Sequence, residues 1–140
     1  MLVDSNILIY SINTRSPKHK QAQRFLKENL KNLVIAHQNI LETLRVLTHN
    51  RFPNPMKLQN ALNDISAISN STRIISPLNN TYYLAIELIK VHRLIGNKIF
   101  DAYLVATALS SGITEIATDN VRDFKKFKEI KVINPFVKIN

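Results

Sequence analysis

The first eight residues, Met1-Leu-Val-Asp-Ser-Asn-Ile-Leu8, decide the class of fold. A short apolar run ends at Asp4, and two polar residues then lead into a second apolar stretch. Residues 1–4 predict a short buried strand, and residues 5–13 predict a helix that follows it directly. A strand that passes straight into a helix is the repeating unit of a parallel sheet.

The same alternation continues along the chain. Further strands are predicted at 33–36, 73–75, 115–118 and 130–133. Helices are predicted at 19–30, about 38–50, 56–68, 79–95, 99–111 and 121–127, with Gly112 ending the helix before it. Short apolar strands that alternate with helices predict an α/β fold, in which a parallel sheet is covered on both faces.

Length and composition narrow the possibilities further. A chain of 140 residues is a typical single-domain length, so we expect one domain over residues 1–140. The sequence has no cysteine, which excludes disulfides, thiol nucleophiles and cysteine zinc sites. It shows no signal-peptide pattern and no apolar run approaching the roughly 20 residues of a membrane span. We therefore expect a cytoplasmic protein.

The charge of the chain points to a polyanionic partner. Nineteen basic residues stand against ten acidic ones, a formal net charge of +9. Such an excess in a small domain favours binding to nucleic acid or to an acidic protein, and charge alone does not separate the two.

Acidic residues follow the predicted strands at one edge of the sheet. Asp4 ends the first strand, and Glu42 lies in the second turn of the helix after the second strand. Asp101 opens a helix, while Asp119 and Asp123 follow the strand at 115–118. In a parallel sheet the strand ends and the starts of the following helices meet at one edge, where ligands bind. We therefore expect these carboxylates to converge.

Each acid also has a simpler explanation. Asp4 and Asp119 suit plain helix caps. Glu42 lies nearly opposite an apolar face made by Ile40, Leu41, Leu44 and Leu47, as a solvent-exposed glutamate would. Asp101 is the most informative, because it shares a helix face with the apolar residues at 104, 105 and 108, and a carboxylate there needs a partner or a cation.

Carboxylates at close range favour a cation between them. Like charges raise one another's pKa values unless a positive ion is present. Ligand sets made only of oxygen atoms select Mg²⁺ or Mn²⁺. Such an ion polarises a phosphodiester and lowers the pKa of a bound water, so hydrolysis of a nucleic acid backbone is the chemistry we expect.

Four motifs in this order resemble the PIN domain family. The opening stretch resembles the family's first motif. The stretches Asn39-Ile-Leu-Glu-Thr-Leu-Arg45, Phe100-Asp-Ala-Tyr-Leu-Val-Ala-Thr-Ala108 and Ala117-Thr-Asp-Asn-Val-Arg-Asp-Phe124 are similar to the second, third and fourth. Each motif is weak alone, but the ordered set is specific and spans essentially the whole chain.

The resemblance implies a three-layer α/β/α sandwich with five parallel strands in the order 3-2-1-4-5. It implies an endoribonuclease that uses Mg²⁺ or Mn²⁺, held by Asp4, Glu42, Asp101 and Asp119. Asn6 and Thr118 would be supporting polar groups, and Asp123 an auxiliary acid at the rim. The size and motif style resemble the VapC toxins within the family, which implies an RNA substrate, a small antitoxin protein as inhibitor and a toxin homodimer.

Other functions stay open from the sequence. A phosphatase of the haloacid dehalogenase type needs a second acid where Asn6 stands, and a response-regulator receiver needs paired acids and a late lysine that we do not find. A nuclease for RNA processing or DNA cleavage remains an alternative, as does a non-catalytic PIN-like module that binds RNA or protein.

His37, placed at the end of the second strand, either contacts a site carboxylate or lies at the rim of the cleft.

Overall fold

Five short parallel strands form one sheet in the computed structural model, which describes residues 1–137. The strands are β1 (Leu2–Val3), β2 (Val34–Ala36), β3 (Arg73–Ile75), β4 (Glu115–Ala117) and β5 (Lys131–Ile133). Their order is β3-β2-β1-β4-β5, and every neighbouring pair is parallel. The predicted α/β class and the predicted strand order are confirmed. Residues 138–140 of the predicted single domain lie outside the described residues.

Helices connect the strands and flank the sheet. They are α1 (Ser5–Ile12), α2 (His19–Asn29), α3 (His37–Thr48), α4 (Leu58–Ser69), α5 (Thr81–His92), α6 (Lys98–Ser110) and the single-turn α7 (Val121–Phe124). All the predicted helices are present, with bounds shifted by a few residues. Before α4, the backbone N–H of Met56 donates to the carbonyl of Leu47, which holds residue 56 in the connection instead of the helix.

Successive strand residues point to opposite faces of the sheet, and both faces are buried. Leu2, Val34 and Ile116 belong to one apolar cluster, together with residues of α5, α6 and α7. The adjacent residues Val3 and Ile35 belong to a second cluster with residues of α1, α2 and α4. Because strand side chains alternate with a period of two, one sheet supports two cores. The result is a three-layer α/β/α sandwich.

A left-handed residue ends α6 and directs the chain into β4. Gly112 has a φ of +74°, a conformation that glycine adopts without steric cost. The backbone N–H of Gly112 donates to Leu109 O, and that of Ile113 donates to Ala108 O. These bonds satisfy the last carbonyls of the helix, as predicted for this glycine.

The strand order defines where a ligand can bind. From β1 the chain builds β2 and β3 on one side of the sheet, and then crosses to add β4 and β5 on the other side of β1. The topological switch point therefore lies between β1 and β4. Open parallel sheets bind ligands at the carboxyl ends of the strands beside such a point. No helix within residues 1–137 is both long and apolar enough to span a bilayer.

Candidate active site

A cavity of about 900 Å³ opens at the carboxyl ends of the strands. Three of the four predicted principal acids line it, namely Asp4, Glu42 and Asp101. The remaining wall includes the polar or charged residues Asn6, His37, Gln38, Arg45 and Asn120, and the largely apolar residues Ile9, Leu41, Pro77, Phe100 and Tyr103. Strand ends and helix starts thus bring together side chains that are far apart in the sequence.

Asp4 is the most buried of these acids, with 7% of its surface exposed. Its Oδ1 caps α1 by accepting the backbone N–H of Ser5 at 2.8 Å. Its Oδ2 accepts from Thr118 Oγ1 at 2.7 Å and from Asn6 Nδ2 at 2.9 Å. Burial raises the pKa of Asp4, and the negative charge of Glu42 adds to that effect, although the bonds from Thr118 and Ser5 oppose it. The hydrogen bonds to both of its oxygens fix the Asp4 carboxylate in one orientation.

Glu42 reaches the cavity from α3, and the predicted apolar face of that helix is confirmed only in part: Ile40, Leu44 and Leu47 pack in the core, but Leu41 does not. The buried residues are Asn39, Thr43 and Leu47, whereas Leu41 is 67% exposed and lines the cavity. The apolar pattern misled because two polar residues occupy the buried side. Asn39 is accommodated there in part because its Oδ1 accepts the backbone N–H of Ala36 at 3.1 Å. Glu42 is half-buried and points to the cavity instead of bulk solvent.

Asp101 lies in the first turn of α6 and is half-buried. Leu104, Val105 and Ala108 are buried on the same helix, so the predicted conflict between a carboxylate and an apolar face is real. The pKa of Asp101 is raised to about 6, and burial is the largest cause. The negative charges of Asp123, Asp4 and Glu42 also raise that pKa, whereas the positive charge of Lys126 opposes them.

Asp119 occupies a different position from the other three acids. It follows β4 at the same edge of the sheet, but it does not line the cavity. Its Oδ2 accepts from Tyr10 Oη at 3.0 Å and from the ammonium group of Lys18. Burial alone would raise the pKa of Asp119, but the bonds from Lys18 and Tyr10 outweigh it, so the pKa is lowered.

The three supporting residues lie next to these acids. Asn6 and Thr118 both donate to Asp4, and Asn6 Nδ2 also lies 3.0 Å from Thr118 Oγ1. Asp123 is half-buried on α7 and accepts a hydrogen bond from the Asn120 amide. Its charge contributes to the raised pKa of Asp101, so it lies close enough to act on the cavity electrostatically.

The donor set suits a hard divalent cation. No salt bridge within residues 1–137 involves Glu42 or Asp101. Their carboxylates and that of Asp4 offer only oxygen atoms, which is the chemistry that Mg²⁺ and Mn²⁺ prefer. Among those same residues, no three acidic or histidine side chains are grouped closely enough to form a complete metal cage. Mg²⁺ needs no such cage, since it usually binds one or two carboxylates and keeps several waters.

Sequence reasoning missed several residues of the cavity. Arg45 lies on the exposed side of α3 and lines the wall, and Phe100 stands beside Asp101 with 61% of its surface exposed. The only sequence signal for Phe100 was its place directly before the motif acid Asp101. His37 directly follows β2, as predicted; it is the first residue of α3, is exposed and lines the cavity.

The fold and the cavity define a three-layer parallel α/β protein with an acidic site at its switch point. The PIN domain family model matches residues 1–130. The chain belongs to the PIN domain family, as the four motifs predicted. A search of curated protein sequences found no significant match.

Solved structures share the whole fold. A toxin–antitoxin complex from Klebsiella pneumoniae superposes with a TM-score of 0.72 at 21% identity, covering 98% of both chains. The Mycobacterium tuberculosis toxin VapC20, which cleaves the sarcin–ricin loop, has a TM-score of 0.71 at 15% identity, over 90% of this chain and 94% of that one. VapBC2 from Rickettsia felis, bound to promoter DNA, has a TM-score of 0.70 at 17% identity, over 95% and 96%.

Proposed function

We propose that this chain is a divalent-metal-dependent endoribonuclease, the toxin of a VapBC-type toxin–antitoxin pair, and that it forms a single domain in the cytoplasm. The observation that carries the proposal is the convergence of Asp4, Glu42 and Asp101 on one cavity, the latter two without a salt bridge among the described residues. Membership of the PIN domain family and the likeness to VapC structures support it.

Among Asp4, Glu42 and Asp101, one or two carboxylates would hold Mg²⁺ or Mn²⁺ directly, and the rest would act through bound water. When bound, the ion would polarise the scissile phosphodiester and lower the pKa of an attacking water. The protein supplies orientation at Asp4, whose carboxylate accepts hydrogen bonds from Thr118 and Asn6. Groups held in position before the substrate arrives need no reorganisation during the reaction.

The cavity wall and the surface charge suit single-stranded RNA. Phe100 and Leu41 flank the carboxylates and are largely exposed, so they offer an apolar surface on which an unstacked base can rest. Arg45 lines the wall and Lys98 is exposed at the start of α6, so both would be available to contact the phosphates. The excess of basic residues supplies a general attraction for the backbone.

An antitoxin and a second copy of the chain are the proposed protein partners. Tyr82 and Tyr83 on α5 are 62% and 71% exposed, and the side chains of Phe52 and Met56 line a smaller groove of about 240 Å³. Exposed apolar surface of this kind is commonly covered in a complex. Inhibition would follow if an antitoxin arginine bound the cavity carboxylates, since a guanidinium group satisfies carboxylates bidentately and competes with the metal.

The test combines biochemistry with growth. The purified chain should cleave RNA with Mg²⁺ or Mn²⁺ but not with EDTA, and Asp101→Asn should abolish cleavage. Glu87→Gln, a surface acid on α5, is the matched control and should cleave normally. Expression of the wild type should arrest growth, and the product of the neighbouring reading frame should restore growth and co-purify with the chain.

The outcomes separate the alternatives. Cleavage of RNA without growth arrest would favour a processing nuclease, and cleavage of DNA alone would favour a DNA-cleaving enzyme. RNA binding without any metal-dependent cleavage would favour a non-catalytic module and contradict the proposal.

A further inference from the structure

The acids at the carboxyl edge of the sheet fall into two electrostatic groups. Glu42 and Asp101 line the cavity and take part in no salt bridge within residues 1–137. Asp119 does not line it and is paired with Lys18, whose side chain is 36% exposed against 20% for the aspartate. Asp119, an acid of the fourth motif, is therefore paired with a positively charged side chain of the same protein, Lys18.

Aromatic rings surround this ion pair. The Lys18 ammonium lies 5.3 Å from the ring centre of Tyr10 and 5.1 Å from that of Phe136, and the two rings meet edge to face. Tyr10 also donates its hydroxyl to the same Asp119 oxygen that Lys18 contacts. That oxygen thus has two donors, and a metal ion would have to displace one of them to bind there.

Asp119 is linked to Asp4 through two neighbouring side chains. The backbone N–H of Asp119 donates to Asn6 Oδ1 at 3.3 Å, and Asn6 Nδ2 donates to Asp4 Oδ2. Thr118, the preceding residue, donates to that same Asp4 oxygen and accepts the backbone N–H of Asn120 at 2.9 Å. Anchoring residue 119 therefore anchors the donors that orient Asp4.

We propose that Asp119 is a positioning residue, held by Lys18 and Tyr10, that fixes residues 118–120 and so orients Asp4, and that it is not itself a metal ligand. This inference rests on the proposed function, because it concerns the same metal site. It departs from the assignment that the family motif implies, in which Asp119 holds the metal with the other three acids.

A double-mutant cycle tests the assignment. The cycle consists of Asp119→Asn, Lys18→Met and the double variant, with Asp101→Asn for comparison. Calorimetry measures the Mn²⁺ affinity of each protein, and thermal unfolding without metal measures its thermal midpoint. Asp101→Asn should lose about 100-fold in Mn²⁺ affinity, and Asp119→Asn about tenfold through misplacement of Asp4. Lys18→Met should not bind Mn²⁺ more tightly than the wild type.

The double variant gives the decisive result. Asparagine at 119 can still accept from Tyr10, and methionine at 18 can pack between the rings, so no charge is left without its partner. Mn²⁺ affinity should return to within about threefold of the wild type, with the thermal midpoint above that of either single variant. If Asp119 were a ligand, the double variant would bind Mn²⁺ as weakly as Asp119→Asn, and Lys18→Met would bind it more tightly.

A second ion pair serves as the control. Glu87 and Lys90 form an exposed pair on α5, and Glu87→Gln with Lys90→Met should change neither readout. If the wild type bound no Mn²⁺, the metal chemistry of the proposed function would fail, while the thermal part of the cycle would still test the positioning part of the inference, in which Lys18 holds Asp119. Absence of thermal rescue in the double variant would overturn it.

Discussion

Replacing Asp101 by asparagine should stabilise the protein in the absence of metal at neutral pH. In the folded chain the pKa of Asp101 is raised from 3.8 to about 6, first by burial and then by the charges of Asp123 and Asp4. An acid whose pKa is raised on folding binds its proton more tightly in the folded state. The stability it contributes is full below about pH 4 and is lost as the pH rises to about 6.

The magnitude follows from the pKa difference. A change of one in pKa corresponds to about 1.4 kcal/mol, so the rise from 3.8 to about 6 sets an upper limit of about 3 kcal/mol. Asp101 is half-exposed, and solvent screening reduces this figure to about 1–1.5 kcal/mol. The substitution also removes a carboxylate that interacts favourably with the dipole of α6, which offsets the gain by a few tenths of a kcal/mol. The net gain expected is about 1 kcal/mol.

Denaturant unfolding in EDTA measures this gain at two pH values. Asp101→Asn should exceed the wild type in free energy of unfolding at about pH 7.5, and the difference should shrink towards zero at about pH 4. Asp64→Asn, which removes an exposed acid from α4, should show no such dependence. Adding Mn²⁺ should make the wild type the more stable of the two proteins. An ion present at 100 times its Kd adds about 2.7 kcal/mol to the free energy of unfolding of the protein that binds it. A variant less stable than the wild type at both pH values, or a gain independent of pH, would refute the reasoning.

Three further outcomes are expected. Thr118→Val should lower the free energy of unfolding by about 1–3 kcal/mol and weaken RNA cleavage, because it removes the donor to buried Asp4, as unfolding curves and cleavage assays would measure. RNA affinity should fall steeply with salt, and Lys98→Gln should reduce the slope of log affinity against log salt by about 0.7 if that lysine contacts one phosphate. A flat salt response would mean that the basic surface serves another partner. Gly112→Ala should cost about 1 kcal/mol through its left-handed φ alone, since a Cβ there meets no atom within 4 Å, and cleavage should be unaffected.

The fold could be predicted well from the sequence because each strand has a recognisable local pattern. Runs such as Val34–Ala36 are short, apolar and bounded by helix starts, so local pattern and global topology agree. The order of the strands came from the resemblance to the PIN domain family, since local pattern carries no information on which strands are neighbours.

The side-chain arrangement of the site was less accessible. Asp101 could be located because a carboxylate interrupts an apolar helix face. The buried polar side of α3 could not, since Asn39 depends on a bond to the backbone of Ala36 that periodicity does not encode. The pairing of Asp119 with Lys18 joins residues 101 apart in the chain, and nothing in either local sequence predicts it.

The pairing of β1 with β4 has a consequence for biosynthesis. Leu2 and Val3 are synthesised well before their partners Ile116 and Ala117, which lie far along the chain. A nascent chain that already carries Asp4, Glu42 and Asp101 still lacks Thr118, which orients Asp4. Long-range parallel pairing is slow to form, because the intervening chain must first be closed into a loop. The site around Asp4 is therefore completed only after the segment that contains β4 and Thr118 has been synthesised and paired with β1.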